Sequence, residues 1–171
     1  MSFEMQRHAL VNEASSACPV PLALEPLDPA EAGPLSDTFV GMEPWSRYPF
    51  DAAALMIYLS GEEVGAPRYA IKAGEQTVGV AGLRLNWLRG PYLQFLALVP
   101  QAQGFGLGSL VMEWLDTQTR KAGDFNIWVC ASDFNEGAIG FYERHGFRHV
   151  GDLPGLIDPS FTEILMRKRL E

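Results

Sequence analysis

Cysteine is scarce in this chain: two in 171 residues, Cys18 and Cys130, far apart and in no metal-binding spacing. That excludes a disulfide framework and a cysteine zinc site, and it fits a reducing compartment, so the expected location is cytoplasmic. Positive charge is short as well. Thirteen Lys and Arg stand against 21 Asp and Glu, a formal charge of −8, so nucleic acid is not an expected partner. No apolar run approaches the ~18–20 residues that span a bilayer. No N-terminal stretch combines basic residues, a long apolar run and a small-residue cleavage site. Neither a membrane nor a secretory route is therefore expected. His8, His145 and His149 fall in no ligand spacing, and no metal is expected. Repeats and low-complexity tracts are lacking too. What is present is 47% hydrophobic and 20% charged residues, a globular composition at a length that fits one domain.

Met1 to Pro19 has weak periodicity and reads as a flexible arm, residues 1–19, with a helical turn around Phe3 to Leu10. Residues 20–171 read as a single domain. Val20 to Leu24 is expected as a short edge strand, because Pro21 cannot donate to a central ladder. Asp28-Pro29-Ala30-Glu31 is a helix start, and Pro34 is expected to break or kink that helix early. Asp51 opens a second helix that Gly61 stops. Turn signals at Ala73-Gly74-Glu75 and Leu88-Arg89-Gly90-Pro91 divide the next stretch into strands at 68–73, 77–87 and 92–99. Leu107, Leu110, Val111, Trp114 and Leu115 recur near a period of 3.6, which predicts a helix. Phe125 to Ala131 is apolar on both faces and should be a central strand. A short helix from Asn135 to Arg144 and strands at 147–153 and 161–169 follow. The expected class is α+β: a mixed, mostly antiparallel sheet of about seven strands, flanked by about four helices in three layers.

The most informative segment runs from Leu98 to Ser109. It sets Gly104, Gly106 and Gly108 at alternate positions between a strand and an amphipathic helix. Glycines there let a ligand approach the backbone, and the helix start offers unpaired N–H groups with partial positive charge. That combination holds phosphate oxygens without a lysine. An ordinary tight turn is the alternative. Two nucleotide loops are excluded. A P-loop needs Gly-Lys-Ser/Thr where Gly108-Ser109-Leu110 stands. A dinucleotide fingerprint needs a third glycine at Ser109, and a parallel βαβ unit where the sequence shows a hairpin.

The segment resembles the pyrophosphate loop of the GNAT superfamily of acyl-CoA-dependent N-acyltransferases, Gln/Arg-x-x-Gly-x-Gly/Ala. Two registers fit: Gln101 with Gly104 and Gly106, or Gln103 with Gly106 and Gly108. The second is preferred, because the first leaves Gly108 inside the helix at a cost of about 1 kcal/mol. Downstream, Asn135 to Phe147 is similar to the family's Asn-x-x-Ala-x-x-Phe-Tyr-x-x-x-Gly-Phe helix. The stretch between the matches has room for the rest of one helix and one strand. The resemblance covers roughly residues 20–170.

The resemblance implies acetyl-CoA as co-substrate, with its pantetheine in a V-shaped split between strands 92–99 and 125–131. Backbone groups of Leu98 and Val99 would pair with it like an added strand. The loop Gln103, Gly104, Phe105, Gly106, Leu107, Gly108 and Ser109 would hold the pyrophosphate. Tyr142 falls where the family protonates the departing thiolate, packing being the alternative. Asn135 would cap its helix and meet the pantetheine, a capping role alone being the alternative. The implied activity is acetyl transfer to a primary amine by direct attack, with no metal and no covalent enzyme intermediate.

The general base stays open. Some members carry a Glu where this chain reads Tyr92-Leu93-Gln94-Phe95-Leu96, so the candidates are Glu43, Asp51, Glu163 or a water relay. Gly41 to Phe50 lies where the family's acceptor loop lies. Its aromatics would line an amine pocket or simply pin the loop. An acidic protein favours a cationic acceptor, either a small-molecule amine or a peptide or protein amine. A homodimer is left open. The missing acid supports a rival reading, a non-catalytic acyl-CoA-binding module of the same fold.

Overall fold

The computed structural model describes Phe3, residues 7–10 and residues 21–171. Its elements in chain order are β1 (His8–Leu10), β2 (Leu22–Pro26), α1 (Ala32–Val40), α2 (Ala52–Ser60), β3 (Arg68–Ala73), β4 (Gln76–Arg84), β5 (Tyr92–Leu98), α3 (Leu107–Lys121), β6 (Asn126–Ser132), α4 (Glu136–Arg144), β7 (Arg148–Pro154) and β8 (Thr162–Arg169). The strands form one sheet in the order β1-β2-β3-β4-β5-β6-β8-β7. Every neighbouring pair is antiparallel except β5 and β6, which are parallel.

Alternation along the strands sets the layers, because successive side chains point to opposite faces. Ala81, Leu83, Ile127 and Val129 pack in one core with Leu110, Val111 and Leu115 of α3 and Tyr142 of α4. Val80, Phe95 and Ala97 pack in a second core with Leu35 and Phe39 of α1 and Leu55 and Leu59 of α2. The sheet thus lies between two helix layers, as the sequence implies. No described helix is long and apolar enough to cross a membrane.

The sheet has eight strands where about seven were expected, and the extra one lies in the segment read as an arm. His8–Leu10 pairs with β2 where a helical turn was expected; apart from Phe3 and Arg7, the rest of that segment, Cys18 included, lies outside the described residues. β2 is therefore not an edge. Pro21 precedes the strand, and its carbonyl accepts from the Gly74 N–H at 2.8 Å, so the missing donor costs the ladder nothing. Pro34 does not break α1 either. It stands third in that helix, in the first turn, where a backbone N–H has no intrahelical partner. β4 ends at Arg84, short of the expected 87, because Asn86, Leu88 and Arg89 take φ of 58°, 45° and 66°, which a strand does not admit. Asp51 caps α2 as expected, its carboxylate accepting from the Ala54 N–H at 2.7 Å.

Behind the sheet, Ser109 Oγ and His145 Nε2 are 3.0 Å apart and tie the start of α3 to the end of α4. Burial, then the Lys168 ammonium, hold the His145 pKa below its ordinary 6.5. The folded state thus binds this proton more weakly than the unfolded chain, so protonation favours unfolding. The contribution is intact above pH 6.5 and is lost as the pH falls through the lowered folded value. Wild type should accordingly lose more thermal stability than His145→Gln between about pH 7 and pH 5. Parallel Tm curves for the two proteins would contradict this.

Candidate active site

The sheet divides where its two parallel strands part. β5 and β6 share only two pairs, Tyr92 with Trp128 and Leu93 with Val129. Beyond them β5 stays on β4 as far as Leu98, opposite Gly79, and β6 stays on β8 as far as Ser132, opposite Glu163. Gln94 and Leu96 on one side and Cys130 to Ser132 on the other line a cleft of about 150 Å³. α3 and α4 begin just past the strand ends that splay, so two helix N-termini lie at the wide end, where open sheets bind ligands.

A bulge prepares the β5 side. Gly82 faces Phe95 and Leu83 faces Leu93, so Gln94 is an extra residue in the ladder. It reverses the faces: Leu93 packs with α3 and α4, whereas Phe95 packs with α1 and α2. A bulge leaves its extra residue outside the ladder and bends the strand. No sequence signal marked it.

Further along, Val99 donates its N–H to Val78 O at 2.9 Å and accepts from Ala102 N–H at 2.9 Å. Its backbone is committed to β4 and to the turn. By alternation, Leu96 and Leu98 turn their N–H and C=O groups toward the cleft. Leu98, named from the sequence, therefore faces the split, but its companion is Leu96 rather than Val99. Gln103 braces the spot, its Nε2 donating to Leu98 O at 3.0 Å.

The glycine turn follows. Gly104 and Gly106 have φ of +82° and +79°, and beyond their immediate chain neighbours no heavy atom lies within 4 Å of where a Cβ would stand. Gly106 caps α3, and the first bond of the helix runs from Leu110 N–H to Gly106 O at 3.2 Å. The N–H groups of Leu107, Gly108 and Ser109 are left outside the helical ladder. No acid occupies the first turn. Phe105 is exposed and Leu107 is buried in the core. Gly108 lies inside the helix in either register, so helix cost does not choose between them. It is small because a Cβ there would come within 3.1 Å of the Phe141 ring.

On the β6 side, Asn135 caps α4 by accepting from the Ala138 N–H at 3.1 Å, and it lines the cleft. Tyr142, about two turns further along the same helix, also lines it. Its hydroxyl has no hydrogen-bond partner among the described residues. Burial, then the neighbouring Cys130, push its pKa well above the ordinary 10.0. Cys130 in turn meets the Tyr92 hydroxyl, and burial raises its pKa too.

The opposite wall holds a network that sequence reasoning did not assemble. Tyr48 donates its hydroxyl proton to Glu163 Oε1 and accepts from Ser132 Oγ. Burial, then the bond to Glu163, hold Tyr48 protonated well above the ordinary value. Glu163 is 4% exposed and lines the cleft. Glu43 and Asp51 do not line it: Glu43 accepts from Arg47 at the surface and Asp51 caps α2. Alternation points Cys130 and Ser132 to the α1–α2 face while Tyr142 rises from the α3–α4 face. Ions and rings pin the aromatic loop: Trp45 stacks on Phe95 at 4.9 Å, and Tyr48 meets Phe50, Phe134 and Phe161 at 5.5–5.8 Å. These contacts anchor Gly41 to Phe50, and Pro44, Trp45, Tyr48 and Phe50 of the same segment also line the cleft. Among the described residues no cluster of His, Cys, Asp and Glu could hold a metal.

The family model described as "Acetyltransferase (GNAT) family" matches residues 30–147. The protein from Desulfovibrio desulfuricans described as an acetyltransferase of the GNAT family superposes with a TM-score of 0.72. It is 17% identical and covers 88% of this chain and 99% of its own. An acetyltransferase from Thermus thermophilus gives 0.68 at 21% identity, covering 87% and 97%. A protein from Bacillus anthracis described as a streptothricin acetyltransferase, solved with acetyl coenzyme A, gives 0.58 at 17% identity, covering 64% and 65%. At these identities the structures show a shared fold.

Proposed function

The chain belongs to the acetyltransferase (GNAT) family, and from that membership we propose that it moves an acetyl group from acetyl-CoA to a primary amine in the split between β5 and β6. The observation that carries the reading is that the split brings the Tyr142 hydroxyl and the Glu163 carboxylate to one cleft from opposite faces of the sheet. Acetyl-CoA fits the chain's own residues. The free N–H groups of Leu107 to Ser109, an acid-free first turn and the open backbone at Gly104 and Gly106 suit a pyrophosphate. Leu96 and Leu98 offer backbone groups to the pantetheine, and Asn135 faces it from the start of α4.

The amine nitrogen forms a bond to the thioester carbonyl carbon, and collapse of the adduct breaks the carbon–sulfur bond. Tyr142 gives its proton to the leaving thiolate. The same desolvation that makes this phenol a weak acid makes a thiolate beside it a stronger base, so the two stay matched. Glu163 takes the proton that the nitrogen sheds. The protons return to their starting groups through solvent. The free Cys130 thiol suits a reducing cytoplasm.

Two measurements test this. CoA should bind more tightly than pantetheine by about tenfold or more, because charge-assisted bonds to the pyrophosphate contribute ~1.5–3 kcal/mol each. Equal affinities by calorimetry would remove the pyrophosphate from the loop. Free thiol and N-acetylated amine should also appear in equal amounts from acetyl-CoA. Binding of acetyl-CoA without either product would instead establish a non-catalytic module.

A further inference from the structure

Glu163 is the one carboxylate among the described residues lining the cleft, and no Lys, Arg or His joins it. Around it the lining is mixed: Pro44, Trp45, Phe50, Leu156 and Ile157 are apolar, and Tyr92, Gln94, Ser132 and Asn135 are polar but uncharged. The neighbouring charges are engaged. Glu43 holds Arg47, whose guanidinium covers the Phe134 ring at 4.7 Å. Asp133, which acts on Tyr48 from outside the cleft, accepts from the Thr162 N–H at 3.3 Å. Trp45 itself stacks against Phe95 at 4.9 Å. The cleft encloses about 150 Å³, below the ~300 Å³ at which sites for drug-sized ligands begin.

We propose that the acceptor is a small primary monoamine whose nitrogen sits at the Tyr48–Glu163 pair and whose body is aryl or branched alkyl. This rests on the acetyltransferase reading above. One ammonium finds one buried counter-charge, held in place because Tyr48 donates to Glu163 and Ser132 supports Tyr48. A second ammonium, as in a polyamine or an aminoglycoside, finds no second carboxylate in the cleft and so gains no counter-charge there. An apolar body in the same place gains by leaving water. The selectivity is thus set by what the walls withhold from a second charge as much as by what Glu163 offers to the first.

The test compares initial rates of thiol release from acetyl-CoA with 2-phenylethylamine, isoamylamine, spermidine and kanamycin at one pH. The two alkylamines and spermidine have primary amines of similar basicity, so the comparison isolates the body. The expected kcat/KM for 2-phenylethylamine exceeds that for spermidine by about 100-fold. Ile157→Glu places a carboxylate on a wall position that is 43% exposed and free to accept one. It should shrink the ratio by about tenfold, mainly through a lower KM for spermidine. Spermidine or kanamycin equal to or better than the monoamines, with CoA released, would overturn the acceptor class while acetyl transfer stands. An unchanged ratio in Ile157→Glu would also overturn it. No CoA release with any of the four, although calorimetry shows acetyl-CoA bound, would overturn this acceptor class; no release with peptide N-termini and lysine peptides as well would remove the acetyltransferase reading.

Discussion

Tyr142→Phe is expected to lower kcat by about 10²–10⁴, the usual contribution of a placed general acid. The ring packs in the core behind the sheet, against Phe141 and Phe147 at 5.3 and 5.5 Å, and Phe keeps those contacts. Acetyl-CoA affinity should therefore hold. The hydroxyl makes no structural hydrogen bond among the described residues, so its removal leaves no orphaned partner. A thioester whose thiol has a lower pKa needs less help, and the loss should be smaller with it. Because burial places the Tyr142 pKa well above 10.0, the acid stays protonated through the whole ordinary assay range. Activity should not fall toward alkaline pH on its account. An unchanged single-turnover rate would reduce Tyr142 to a packing residue.

Glu163→Gln should cost kcat about 10²-fold or more, again the scale of one proton transfer. Gln is nearly isosteric and still accepts from Tyr48, so the wall keeps its shape. The split between constants is diagnostic. A base lost shows in kcat; a mere counter-charge lost shows in KM. Tyr48→Phe should give a smaller loss, since it leaves the carboxylate in place but removes the hydroxyl that orients it. Glu163→Gln with wild-type kcat and only a raised KM would hand the nitrogen's proton to water and leave Glu163 as a docking group.

The layers of the fold were legible because periodicity reports burial directly. The helices at 107–121 and 136–144 and the hairpins around Gly74 and Gly90 follow from apolar spacing and turn residues alone. β1 was not legible. Three residues carry too little pattern to distinguish a strand from a turn, and its pairing is set by β2 rather than by its own sequence. Pro34 misled for a simpler reason: a proline's effect depends on its distance from the helix start, and Pro29–Glu31 already forms a separate turn ahead of α1.

At the site, local chemistry was readable and long-range assembly was not. The glycine turn and the Asn135 cap lie within single segments, and the sequence placed both. Leu96 was missed because backbone direction at Val99 depends on a bond to Val78 across the ladder. The Tyr48–Glu163 pair joins residues 115 apart. Glu163 stood among three carboxylates of equal standing until the fold put Glu43 beside Arg47 and Asp51 on a helix cap. The bulge at Gln94 is a property of how β4 and β5 pair, and neither strand announces it.

The most direct test is a crystal structure of the protein with CoA. The sulfur is expected within about 3–3.5 Å of the Tyr142 hydroxyl, the pantetheine along Leu96 and Leu98, and the pyrophosphate on the N–H groups of Leu107 to Ser109. CoA bound elsewhere, or lying in the split with its sulfur turned away from Tyr142, would contradict this.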